Sequence, residues 1–134
     1  MGVRLLLIDD DESTRASLTK ALRRSDGIDL LGPASGLDDA SSLLQQERPD
    51  IVLLNLHRGR DGDDVNFCAS VCRLTKAPVL ALASFMTPER WAPVEAAGIA
   101  GYLLKRVDTD ELSREVAAFA KRFGRDGGAG SARA

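Results

Sequence analysis

Three short apolar runs, each stopping on a polar side chain, restrict this chain more than any other feature. Val3–Ile8 (VRLLLI) is interrupted only by Arg4 and stops at Asp9-Asp10-Asp11. Ile51–Leu54 stops at Asn55, and Val79–Ala83 stops at Ser84. Runs of this length with no polar face predict strands covered on both sides, as in a parallel sheet. A weaker strand is expected over Asp29–Leu31, ended by Gly32-Pro33, and a fifth over Tyr102–Leu104, ending at Lys105.

Helical spacing fills the intervals. Ala16, Leu18, Ala21 and Leu22 mark a helix over Ser13–Arg24, with Asp11 or Ser13 as its cap. Leu37, Ala40, Leu43 and Leu44 mark a second, closed by Pro49, and Val65–Leu74 reads as a third. Leu112, Val116, Phe119, Ala120 and Phe123 form the stripe of the last helix, which opens at Asp108 or Thr109. Thr87-Pro88-Glu89-Arg90 is a good opening for a fourth helix, yet Pro93 follows, where its ring would clash with the preceding turn. That helix is expected to kink, or to begin near Pro93 and end at Gly98.

With 134 residues the chain has room for one ordinary domain, and 44% hydrophobic with 28% charged residues is an average soluble composition. No run approaches the roughly 18 apolar residues that cross a bilayer, so no membrane association and a cytoplasmic location are expected. A net charge of −2 without clustered Lys and Arg gives no nucleic-acid surface. Cys68 and Cys72, the two cysteines, would share one helical face and read as buried thiols. His57, the one histidine, is expected to face solvent from a polar loop, neither a ligand nor a phosphoacceptor.

Alternating strands and helices predict an α/β sheet covered on both faces with right-handed crossovers. In such sheets functional groups gather at the carboxyl ends of the strands. Asp9 and Asp10, Asn55, Ala83 and Ser84, and Lys105 should therefore meet in one crevice. There is no G-x-G-x-x-G turn and no P-loop, and a first strand ending in carboxylates repels phosphate, which counts against a nucleotide or flavin binder.

The segments IDDDES, PDIVLLN, APVLALAS and GIAGYLLK, in that order, resemble the receiver domain of two-component response regulators. The resemblance spans about residues 3–123. It implies a three-layer, flavodoxin-like fold with five parallel strands in the order 2-1-3-4-5 and five helices. It divides the chain into a receiver-like domain, 1–123, and a Gly-rich tail or start of a linker, 124–134, expected to be disordered. By resemblance, Asp9 and Asp10 take the acidic pair that helps hold Mg²⁺, Lys105 the pocket lysine, and Tyr102 the aromatic that changes rotamer on activation. Asp11 would enter the first loop or cap the first helix.

Two departures bear on the chemistry. Asn55 stands where the family has its phosphoacceptor aspartate, and Ala83 stands at the Ser/Thr position, with Ser84 one residue late. The loop after Asn55 also differs (His57-Arg58-Gly59-Arg60), and Arg106 replaces the proline that usually follows the lysine. An amide oxygen is a very poor nucleophile, so Asn55 should form no acyl phosphate. A pocket with one carboxylate fewer should bind Mg²⁺ weakly or not at all, and no cofactor is required. The expectation is a non-enzymatic pseudo-receiver that works without phosphorylation. It would engage a protein partner, or a second copy of itself, through the face of the fourth helix, fifth strand and fifth helix, near Trp91, Tyr102 and Arg106. The alternatives are phosphorylation at another carboxylate such as Asp10 or Asp61, and the receiver half of a regulator whose DNA-binding output domain lies elsewhere.

Overall fold

The computed structural model describes residues 2–57, 61–105 and 108–124, with the side chains of 61–63, 109 and 123–124 left aside. Five strands alternate with five helices. The strands are β1 (Val3–Ile8), β2 (Ile28–Ala34), β3 (Ile51–Asn55), β4 (Val79–Ala83) and β5 (Gly101–Leu104). The helices are α1 (Glu12–Arg23), α2 (Leu37–Gln46), α3 (Asp61–Leu74), α4 (Pro88–Ala96) and α5 (Thr109–Phe119), the last continuing as a π-helical turn, Ala120–Gly124. The sheet order is β2-β1-β3-β4-β5 and every pairing is parallel.

The period-two side-chain alternation of a strand divides each apolar run between two cores. Leu6 and Ile8, Val52 and Leu54, and Ala81 and Ala83 face one cluster with Ala40 of α2, Cys68 and Val71 of α3, and Val94 of α4. Leu5 and Leu7, Ile51 and Leu53, and Leu80 and Leu82 face the other, with Leu22 of α1 and Leu112, Val116 and Ala120 near the C-terminus. Each fully buried Leu or Ile contributes about 1.5–3 kcal/mol, so the continuous apolar runs define a three-layer sandwich. Phe119 packs on the second cluster as expected; Phe123 and the tail beyond Gly124 lie outside the described side chains and residues.

Two segments differ from expectation. β2 does not end at Gly32-Pro33 but passes through that dipeptide, whose peptide bond is cis, to Ala34, where the register against β1 shifts between Leu6 and Ile8. β2 is an edge strand, so the missing proline N–H need not donate to a further neighbour. α4 begins at Pro88, not near Pro93: Thr87 caps it, its hydroxyl oxygen accepting from Arg90 N–H at 3.1 Å. Pro93 falls one turn in, and the carbonyl it deprives of a donor belongs to exposed Glu89, within reach of water.

α4 ends at Ala96, and Gly98, just past its cap residue Ala97, has a φ of +115° that suits glycine; a Cβ there would stand 3.1 Å from Cys72 Sγ. Gly98→Ala should therefore lower stability by about 1–3 kcal/mol, seen as a reduced urea midpoint with an unchanged slope.

Candidate functional site

Parallel register brings the strand ends level. Ile8 pairs with Leu54, Asn55 with Leu82, and Ala83 with Leu104. The next residue of β1 is therefore Asp9, beside Asn55, while Lys105 N–H bonds Ala83 O at 2.9 Å beyond β5. Asp9 is fully buried and Asn55 nearly so. Asn55 Nδ2 donates to Asp9 Oδ2 at 2.8 Å, and Asp11 N–H donates to Asp9 Oδ1 at 2.9 Å. Asn55 Oδ1 is buried and has no hydrogen-bond partner among the described residues. Asp11 caps α1, and bonds from the Thr14 hydroxyl and then its N–H hold the Asp11 carboxyl below its ordinary pKa.

His57 is not the solvent-facing residue expected. It is one-third exposed, and its Nε2 lies 2.8 Å from Asp9 Oδ1 and 3.4 Å from Asp10 Oδ1. His57 stands two residues past the end of β3, and its ring gives the buried Asp9 carboxylate a donor. Asp10 is mainly exposed at the rim. Ligand atoms of Asp9, Asp10 and His57 all lie within 4.8 Å of one another, so the donor set fits a divalent cation. Lys105 Nζ reaches the Leu56 carbonyl at 3.5 Å, and among the described residues it makes no ion pair with either aspartate. Burial holds the Lys105 pKa below its ordinary value, with attraction to Asp9 acting the other way. Ala83 is buried and Ser84 exposed. Arg106 lies outside the described residues.

Residues 5–117 match the family model of the response regulator receiver domain. The chain belongs to that family. It is 32% identical over 121 residues to the transcriptional regulatory protein LiaR of Bacillus subtilis, covering 89% of this chain and 56% of LiaR. It is 30% identical over 115 residues to the DNA-binding transcriptional activator DevR/DosR of Mycobacterium tuberculosis, covering 85% of this chain and 52% of that protein. The chain thus spans about half the length of these relatives. The solved signal receiver domain of the response regulator NarL from M. tuberculosis superposes with a TM-score of 0.72 at 28% identity, covering 90% of this chain and 97% of that one.

In this receiver the sequence reading missed Arg90. Its guanidinium donates to Asp64 Oδ2 at 2.9 Å, to the His57 carbonyl at 3.1 Å and to the Phe85 carbonyl at 2.8 Å, and lies 4.8 Å from the Phe85 ring centroid. One side chain thus ties α4 to α3 and to the loops after β3 and β4. The only signal in the sequence was an arginine in the first turn of a helix, where the positive helix end disfavours it unless a partner is near. Trp91 is half-buried and tilts against exposed Tyr102, ring centroids 5.0 Å apart. No helix among the described residues is long and apolar enough to cross a membrane.

Both Arg90 and Asp64 side chains are 16% exposed, so Arg90→Ala should cost about 1–3 kcal/mol by urea denaturation and change the emission of adjacent Trp91. Burial, with Cys72 adding to it, pushes the Cys68 thiol from about 9 to about 12. At about pH 8 its thiolate is on the order of one part in ten thousand, so a thiol reagent should label Cys68 only after unfolding.

Proposed function

We propose that this chain is an atypical receiver, a protein-interaction module of bacterial two-component signalling that acts without accepting a phosphoryl group. The observation that carries this reading is the Asn55 amide, held at the end of β3 by its 2.8 Å bond to Asp9. Forming an acyl phosphate requires a carboxylate oxygen as nucleophile, and a delocalised amide offers none. Asn55 does not mimic the phosphorylated state either, since a phosphoryl group would bring about −1.5 to −2 units of charge. Buried Ala83 supplies no hydroxyl to sense such a group, and Ser84 is exposed beyond it.

On this reading the chain is no enzyme and has no required cofactor. Asp9 and Asp10 would hold Mg²⁺ weakly, because one hard carboxylate is missing. Signalling passes through a protein partner, or a second copy, on the α4–β5–α5 face. The Trp91–Tyr102 pair and exposed Phe85 support that choice, as aromatic side chains are enriched at interface centres. Nucleic-acid and membrane binding are not assigned to this chain, and its location is cytoplasmic.

A second reading concerns the whole protein. Because the chain spans about half of LiaR and of DevR/DosR, it fits the receiver portion of a longer regulator with a DNA-binding output domain.

Incubation with acetyl phosphate and Mg²⁺ should leave the intact mass unchanged, while Asn55→Asp should gain one labile phosphoryl group. A stable phosphoryl group on the unaltered chain, mapped to Asp10 or Asp61, would overturn the proposal.

A further inference from the structure

The geometry points to a mixed nitrogen–oxygen metal site at Asp9, Asp10 and His57 that selects a first-row divalent ion of the Zn²⁺ type over Mg²⁺. This inference stands whether or not the chain accepts a phosphoryl group. His57 Nε2 lies 2.8 Å from Asp9 Oδ1 and 3.4 Å from Asp10 Oδ1. Two ligands bound at about 2.1 Å and about 90–110° apart are themselves about 3.0–3.4 Å apart, so the imidazole nitrogen already stands near that spacing from each carboxylate, and the three ligand atoms all lie within 4.8 Å of one another. Without metal, Nε2–H donates to Asp9; a shift to the Nδ1–H tautomer, exchanged through solvent, frees the Nε2 lone pair for the ion.

A second observation points to a missing ligand. Asn55 Oδ1 is buried without a hydrogen-bond partner among the described residues, on an amide whose nitrogen bonds Asp9 Oδ2. The two ends of an amide are about 2.3 Å apart, which puts that unpartnered oxygen within about 5 Å of the Asp9 carboxylate. It is a ready acceptor for a water or an ion in the same pocket. Asn55 also acts on the site indirectly: by holding Asp9 Oδ2 it leaves Oδ1 as the ligand oxygen.

Selectivity follows from donor type. Mg²⁺ favours an octahedron of oxygens and retains several waters, whereas imidazole suits Zn²⁺, Ni²⁺ and Co²⁺. The Cys68 thiol does not compete at neutral pH, being fully buried and protonated.

The test uses the untagged full chain and Zn²⁺ alone as the probe. His57 is the one histidine, so its ring resonances report binding without ambiguity. One equivalent of Zn²⁺ should shift them, and Mg²⁺ should need about a hundredfold excess to reverse the shift. His57→Gln should weaken Zn²⁺ binding by about tenfold or more while leaving Mg²⁺ binding within about twofold. Cys72→Ser should bind Zn²⁺ as before. Unshifted His57 resonances in the unaltered chain, which need no variant to fold, would overturn the site. So would equal Zn²⁺ affinity in His57→Gln, loss of binding in Cys72→Ser, or displacement by equimolar Mg²⁺.

Discussion

A carboxylate with no exposure to solvent must be satisfied by the protein itself, and Asp9 sets the terms for its whole end of the sheet. Burying an unpaired ion costs several kcal/mol even after relaxation. Here the cost is offset by three donors from three places: the Asn55 amide on β3, the His57 ring just after it, and the N–H of Asp11 at the entrance to α1. The Asp11 N–H is local, but Asn55 and His57 reach Asp9 because the parallel register holds the ends of β1 and β3 level. The buried charge and the strand alignment therefore specify one another.

A second charge does comparable work on the other side of the pocket. Arg90 is mostly buried, and its bonds to Asp64, the His57 carbonyl and the Phe85 carbonyl draw α4 against the loops that carry the site. The same backbone segment therefore presents an imidazole to the aspartates and a carbonyl to Arg90. Next to Arg90 in the chain, Trp91 leans on Tyr102. A continuous set of contacts thus runs from the acidic pocket to the proposed partner face.

Much of this was legible in the sequence because burial on two faces leaves a strong trace. Continuous apolar runs specified the strands, and their polar stops named Asp9, Asn55 and Lys105 as neighbours; the register sets Asp9 beside Asn55, while Lys105 reaches the Leu56 carbonyl. What could not be read were contacts set by side-chain reach across loops. His57 looked like one more polar loop residue, since its partner lies 48 positions away. Arg90 looked like an ordinary first-turn residue for the same reason. Pro93 misled in a different way: the penalty for an interior proline depends on whether the orphaned carbonyl meets water, and Glu89 sits where it does.

An amide at position 55, where a carboxylate would be the alternative, bears on more than nucleophilicity. Two unit charges at 4 Å repel by about 4 kcal/mol at an effective dielectric of 20, so a second buried carboxylate beside Asp9 would need a cation between them. An amide reverses that interaction, donating a hydrogen bond to the charge it would otherwise oppose. The pocket is then closed by neutral and singly charged groups of the chain itself. Arg90 holds α4 from the same loops through bonds that the chain itself supplies. On the proposed reading, loss of the acceptor and independence from it would share one physical origin, the bond between Asn55 and Asp9.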